Sequence, residues 1–343
     1  MYPRPVSRLK LYRGQLFLTP LVIAAPLLVP GSYVYLIDLF SLCGIYALIV
    51  GGLTLLMGFA GQISLGHAAF YALGAYCSAL FSLRWGFPLW LSAIIALVVT
   101  GIFSLVMGYP LMRLKSHYLA LATLCLGVIV YEGINRSESL TGGANGLFNV
   151  PRLMIGGYDL SRPLPRYYLV WGLVLLMTVW LCNIFDSGLG RGLRAIHADE
   201  SAAQAFGVDV NRYKLAVFVG SGVLGALGGI LYAHLYSPSY LGPEEFNLMV
   251  SIKLVVMVVI GGLGSVWGGI AGAIILTTLH EVLSLIGETF RIVLIARIEP
   301  FLYGLILVLI MIFFPEGFIP GMKRGIVELW KKRTKRDAHP GSI

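Results

Sequence analysis

Apolar stretches long enough to cross a membrane recur along most of this chain, separated by short polar or glycine-rich connections. They lie at about 15–30, 34–59, 67–83, 88–110, 117–134, 167–185, 213–236, 247–263, 267–286 and 298–314. Each is near or above the ~17–25 residues a helix needs to span the hydrocarbon core, where every backbone polar group must be paired within its own segment. The reading is an all-α polytopic integral membrane protein of about ten transmembrane helices. A single membrane domain at 15–314 is flanked by a basic amino terminus at 1–14 and a basic tail at 315–343. With 58% hydrophobic and 12% charged residues, the composition agrees.

The placement of lysine and arginine sets the orientation. With both termini in the cytosol, 17 of the 25 basic residues fall in cytosolic segments, seven fall outside (Arg84, Arg136, Arg152, Arg162, Arg166, Arg291 and Arg297), and Lys253 lies within a span. That asymmetry satisfies the positive-inside rule and requires an even number of spans. The net charge of +9 is accounted for by these membrane edges and the lipid headgroups beside them, so nucleic acid is not an expected partner. The first segment, with Arg4 to Arg13 before the apolar run, resembles a secretory signal. Retention is preferred, because Pro20, Pro26 and Pro30 punctuate it and no small-x-small cleavage site follows. Cys43, Cys77, Cys125 and Cys182 all fall inside spans without metal-ligand spacing and read as small packing residues.

Two connections are long enough to have functions of their own. The external loop at about 135–166 carries Thr141-Gly-Gly-Ala-Asn-Gly146, Pro151, Pro163 and Pro165, a composition of turns. The cytosolic loop at about 186–212 is polar and basic, and its Gly190–Gly207 stretch reads as a short helix for docking a cytosolic motor. There Ala202, Ala203 and Ala205 would let another surface approach closely, Arg194, Asp199 and Glu200 supply charge, and Gly207 is the helix stop. An ordinary solvated loop with one helical turn fits the same composition.

Glycine clusters interrupt the apolar pattern twice. Gly58-Phe-Ala-Gly-Gln-Ile-Ser-Leu-Gly-His67 contains Gly58, Gly61 and Gly66, and Gly261-Gly-Leu-Gly264 adds Gly261, Gly262 and Gly264. Glycine at membrane depth permits close helix packing or a broken helix beside a transport path. Gln62, Ser64 and His67 are therefore candidate path-lining groups, against which stands a neutral, helix-packing histidine. Glu132 and Lys253 are the charged residues hardest to assign to a loop; snorkelling to the outer interface competes with a ligand role for both.

Catalytic signatures are missing from the sequence. No Gly-x4-Gly-Lys-Ser/Thr stretch occurs, so the chain has no P-loop, and any ATP chemistry must belong to a partner. There is likewise no Gly-x-Ser-x-Gly elbow and no His-Glu-x-x-His zinc helix.

The segment Gly58-Phe-Ala-Gly-Gln-Ile-Ser-Leu-Gly-His-Ala-Ala-Phe70 resembles the signature of the branched-chain amino acid ABC transporter permeases, the LivM/LivH type. His117–Leu124, Ser139–Leu147 and Met257–Gly268 resemble further LivM-side signatures in the expected order, and residues 190–214 resemble the ATPase-coupling loop of ABC importer permeases. The resemblance implies a bacterial inner-membrane permease that works with a second related permease, two cytosolic ATPase subunits that bind ATP and magnesium, and a soluble substrate-binding protein outside. By position, Asp199, Glu200, Ala203 and Gly207 would belong to the ATPase contact, and Gln62, Ser64 and His67 to the motif beside the path. One departure is Val128, where relatives place a glutamate; Glu132 lies one turn later. The implied substrates are leucine, isoleucine and valine. Urea or short amides within the same superfamily, and a secondary transporter from a different class, are the alternatives.

Overall fold

The computed structural model describes residues 34–114 and 116–289, with isolated helical positions at Thr19, Pro20, Val22 and Pro26 and at Phe301, Gly304, Leu305, Val308 and Leu309. Apart from those positions, the first and tenth expected spans, the basic amino terminus and the tail lie outside the described residues. The eight intervening segments expected as spans are all helices: α1 (Val34–Thr54, continued by a π-helical turn, Leu55–Phe59), α2 (His67–Arg84), α3 (Leu89–Leu111), α4 (Ser116–Arg136), α6 (Pro163–Asp186), α9 (Val210–Leu231, continued by a π turn, Tyr232–Tyr236), α10 (Leu248–Gly261) and α11 (Val266–Thr289). The short α5 (Glu138–Thr141) lies in the 135–166 loop, and α7 (Gly188–Ala198) and α8 (Glu200–Ala205) fill the 186–212 connection.

Six of these helices are long and apolar enough to cross a membrane. The exceptions, α2 and α10, have physical reasons. Ser78 and Ser82 of α2 are buried among other helices and need no lipid-compatible surface, whereas α10 has only 14 residues and rises about 21 Å.

The lipid-facing logic is clearest on α3. Its buried positions, Ser92, Ala96, Thr100, Ser104 and Gly108, are small and recur every fourth residue. Its outer face carries Ile94, Val98, Ile102, Leu105 and Val106 between Trp90 and Tyr109. Small residues toward protein and large apolar ones outward, with an aromatic at each end, is the pattern a bilayer selects. The cysteines follow packing less uniformly than expected: Cys43 and Cys182 are buried, Cys77 is half-buried, and Cys125 is exposed on α4.

Helices α2 and α9 run parallel at the centre of the bundle. A Cβ on Gly74 would lie 2.2 Å from Ala226 O, and one on Gly229 only 2.0 Å from Tyr71 O, so the two backbones approach as only glycine permits. Histidine–serine hydrogen bonds close both ends of this interface, His67 with Ser221 and His234 with Ser78. Phe70 packs edge-on against Phe218, beside the first of these bonds.

Helices α1 and α9 run antiparallel, with Gly52 against Ser221 and Gly228 against Ile49. Each ends in a π turn, then an irregular segment, then a new helix, so the same order enters the bundle from opposite ends. The first irregular segment, 60–66, climbs back inside: Leu65 N–H donates to Thr123 Oγ1 on α4, and His67 meets Ser221 midway along α9. The second, 237–247, buries Leu241 and Phe246, the latter against the rings of Tyr71 and Tyr76. The two new helices meet where Ala68 N–H donates to Ser251 Oγ.

Among the described residues, strands are confined to two-residue ladders. β1 (Leu147–Phe148) pairs antiparallel with β4 (Tyr240–Leu241), and β2 (Met154–Ile155) with β3 (Tyr158–Asp159). The first ladder ties the 135–166 loop to the 237–247 segment. A hydrogen bond of His234 Nδ1 with Pro151 O reinforces that link. Arg166 at the start of α6 pairs with Asp38 and donates to Leu235 O at 3.0 Å.

Candidate functional site

The Gly58–His67 turn is the junction of the bundle, touched by most of the elements expected to matter. It begins where the π turn ends: Gln62 N–H still reaches back to Leu56 O at 3.1 Å, after which helical bonding stops. π turns of this kind are frequent at functional sites. Gly61 takes φ +66°, a left-handed conformation in which a side chain would be strained. Glycine is also required sterically, since a Cβ on Gly58 would sit 1.5 Å from Leu263 O and one on Gly66 2.0 Å from Thr123 O. The two glycine clusters of the sequence thus meet, Gly58 lying against the loop between α10 and α11. Within that second cluster, a Cβ on Gly261 would lie 2.0 Å from Gly268 O, Gly262 takes φ +98°, and Gly264 is exposed.

The structure gathers Gln62, Ser64 and His67 in this turn and buries all three. The imidazole shares one hydrogen bond with Ser64 Oγ at 3.1 Å and another with Ser221 Oγ at 2.5 Å. Both ring nitrogens are therefore engaged, and the geometry is that of a histidine joining α2 to α9. Gln62 differs: its amide nitrogen donates to Ala60 O at 3.1 Å, whereas its Oε1 is buried with no hydrogen-bond partner.

Glu132 and Lys253 are not brought to this turn. Glu132 lies near the far end of α4, its side chain 44% exposed and paired with Arg136 at 3.1 Å. Lys253 does not snorkel. It is 9% exposed on the short α10, two residues beyond Ser251, with its ammonium 5.3 Å from the centre of the Tyr46 ring. Because α10 begins inside the bundle, the distance of Lys253 from the outer interface is misjudged when the helix is counted as a full span.

The 186–212 connection folds as two helices. Arg194 caps the end of α6 by donating to Phe185 O at 3.0 Å, and Gly190 fits against Phe185 O where a Cβ would be 2.3 Å away. Asp199 caps α8, accepting from Ser201 N–H at 2.8 Å and Ala202 N–H at 3.0 Å. Those two bonds hold its carboxyl below the usual carboxylate range, the bond from Ala202 being the larger influence. Gly207, at φ +82°, ends α8 in a Schellman motif: Val208 N–H bonds to Ala203 O and Gly207 N–H to Gln204 O.

Two features of the loop differ from the sequence expectation. Ala203 faces inward, in a small cluster with Ile196 and Val210, so the outward small residues are Ala202 and Ala205, beside Phe206 at 89% exposure. Glu200 is not left for a partner, because its Oε1 accepts from Lys214 Nζ at 2.7 Å.

The end of α6 and the loop each reach the turn at one point that the sequence did not reveal. The Phe185 ring stacks on Phe59 with centroids 3.6 Å apart, and the imidazole of His197 occupies the space beside Gly61, where a Cβ would lie 2.6 Å from Nδ1. A cleft of about 460 Å³ elsewhere, lined by Trp90, Tyr168, Leu173, Leu176 and Ile230, is apolar and does not include the turn.

Comparison with known proteins finds related permeases. The family model described as the permease component of the branched-chain amino acid transport system matches residues 35–314. The LivM high-affinity branched-chain amino acid permease of Escherichia coli is 30% identical, over 90% of this chain and 75% of its own length. The LivH permease of Salmonella typhimurium is 25% identical, over 67% of this chain and 79% of its own. The ribose import permease RbsC of Haemophilus influenzae is 29% identical over a shorter region, 41% of this chain and 43% of its own.

Proposed function

The chain belongs to the permease family of the branched-chain amino acid transport system, and on that footing we propose that it is a membrane subunit of an ATP-driven importer for leucine, isoleucine and valine. The match across almost the whole bundle, from α1 past α11, carries this reading. In it, ten helices span a bacterial inner membrane with both termini in the cytosol, and a second related permease completes the translocation path. Two ATPase subunits bind at α7 and α8 and hydrolyse ATP with magnesium. A soluble binding protein delivers substrate to the opposite face. This chain binds no nucleotide of its own. The residue roles proposed are Gln62, Ser64 and His67 in the turn beside the path, Glu132 and Lys253 as further polar groups of the bundle, and Arg194, Asp199, Glu200, Ala203 and Gly207 in the shape of the coupling loop. Inward movement of the turn would open the path on one side while the 237–247 segment closes it on the other, an alternation suited to two irregular segments entering from opposite ends.

The test is uptake of labelled leucine by proteoliposomes containing the assembled complex, with acetamide and urea as competitors. Uptake should require both ATP and the ATPase subunits, and the purified chain alone should hydrolyse no ATP. Uptake that persists without the ATPases and follows an ion gradient would make the chain a secondary transporter. Competition by urea or acetamide, but not by isoleucine, would reassign the substrate.

A further inference from the structure

His197 lies within the coupling-loop stretch but is not among its candidate contact residues; it is exposed on one side and packs on the other against the Gly58–His67 turn. It is the penultimate residue of α7, and α7 is fixed at its other end. There Gly190 lies against the last carbonyls of α6, and Gly192 admits the Tyr213 ring, which a Cβ would approach to 2.4 Å. A helix held at its base moves most at its tip. The tip of α7 carries His197 against Gly61, which as glycine has no Cβ to stand in the way and takes a left-handed φ.

The outward face of α8, with Ala202, Ala205 and Phe206, is joined to α7 through a tight chain of packing. Ala203 on the inner side of α8 meets Ile196, and Ile196 is the neighbour of His197 in sequence. Packing thus runs from the outer face of α8 through Ala203 and Ile196 to the turn of α7 that carries His197, and from there to Gly61. The Phe59–Phe185 stack is a second contact, made from the end of α6 and not from α7. Beyond Gly61 the chain leads directly to Gln62, Ser64 and His67, and through His67 to Ser221 on α9. Packed networks of this sort transmit displacement because interiors shift between discrete arrangements and do not deform continuously.

We infer that His197 is the positioning residue through which movement of α7 and α8 reaches the Gly58–His67 turn. The inference rests on the importer reading, and it separates two roles within one loop: Ala202, Ala205 and Phe206 for contact with the ATPase, His197 for passing the stroke inward. Removing the ring that rests against Gly61 should leave the motor running and disconnect it from the path.

The experiment uses the reconstituted complex and measures leucine transported per ATP hydrolysed. For His197→Ala the ATPase subunits should copurify at the parental ratio and hydrolyse ATP within twofold of the parental rate, while transport per ATP falls at least fivefold. His197→Gln, which keeps a planar polar group of similar reach, should recover at least half of the lost coupling. Phe206→Ala should do the reverse, weakening association of the ATPase without lowering transport per ATP in the complexes that form. A second readout follows the turn itself. With Cys introduced at Ile63, which is 39% exposed, and the native cysteines replaced, the thiol-labelling rate should change on nucleotide trapping with His197 present and stay constant with His197→Ala. Transport per ATP within twofold of the parental value in His197→Ala would overturn the inference. So would loss of ATPase association, which would place His197 on the docking face, or loss of the folded chain, which would make its role structural. A parental complex without ATP-dependent uptake would instead refute the importer reading, and the inference with it.

Discussion

Replacing Gly229 with alanine should separate the two parallel helices at the centre of the bundle. The added Cβ would lie 2.0 Å from Tyr71 O and 2.8 Å from Ala75 N, both backbone atoms that no rotamer change can move aside. Restoring ordinary contact requires α2 and α9 to part by about 1.4 Å, enough to forfeit much of the dispersion energy along the seam. The hydrogen bond of His234 with Ser78, now 3.0 Å, would then exceed bonding distance, and that of His67 with Ser221 would lengthen from 2.5 Å. Overpacking costs roughly 1–3 kcal/mol, and interhelical hydrogen bonds in membranes average about 0.6 kcal/mol each, so the expected loss is about 2–4 kcal/mol. Helix propensity alone predicts the opposite sign, a gain of up to ~1 kcal/mol for glycine to alanine. Gly172→Ala isolates that contribution, because among the described residues no atom outside its own stretch of helix lies within 4 Å of its Cβ position. Unfolding of both variants in mixed SDS micelles, followed by circular dichroism, gives the difference directly. If Gly229→Ala proves as stable as Gly172→Ala, the close seam is not what holds α2 to α9, and the reasoning fails.

Three further outcomes are expected. Glu200→Gln should cost about 1–2 kcal/mol by leaving the ammonium of Lys214, 3% exposed, without its charged partner, and Lys214→Met should remove most of that cost; a double-mutant cycle showing no coupling would refute the pairing. The cap that Asp199 forms on α8 is strongest while its carboxyl is ionised. Because the folded group titrates below its unfolded value, that stabilisation is fully present above the unfolded range near pH ~4 and is lost as pH falls through the lower folded value. Protection of the Ser201 and Ala202 amides, corrected for intrinsic exchange, should drop over that acid window, and in Asp199→Asn it should not change there. Finally, cysteines introduced near residue 145 should label from outside the cell and near residue 200 from inside; the reverse would invert the orientation.

The helices themselves were legible in the sequence because an apolar run of span length has few other uses, and the eight described helices begin and end within a few residues of the expected limits, six of them long and apolar enough to span. The broken pattern at Gly58–His67 was legible for the same reason, since glycine and polar groups inside an apolar chain need a specific explanation. What the sequence did not reveal are contacts between residues far apart along it. Nothing local predicts that Gly58 meets Leu263 or that Gly61 leaves room for His197. The second irregular segment had a signal, Pro238 and Gly242-Pro243, but these read equally well as an ordinary short connection. The loop was misread at the level of faces: three alanines look alike in sequence, and only the packing of Ile196 and Val210 separates Ala203 from Ala202 and Ala205. Lys253 was misjudged because the depth of a charged residue depends on where its helix begins, and α10 begins inside the protein.

The meeting of Gly58 with Leu263 has a consequence for how the protein is made. The turn leaves the ribosome early, and the loop that packs on its glycine follows roughly two hundred residues later. At about 5–20 residues per second, the polar groups of Gln62, Ser64 and His67 wait some ten to forty seconds before that face is complete. Throughout that interval they must be sheltered from lipid by the insertion machinery or by provisional contacts among the first helices. Synthesis that stalls before α10 and α11 emerge would therefore strand a chain with an unsealed polar seam, a natural target for membrane quality control.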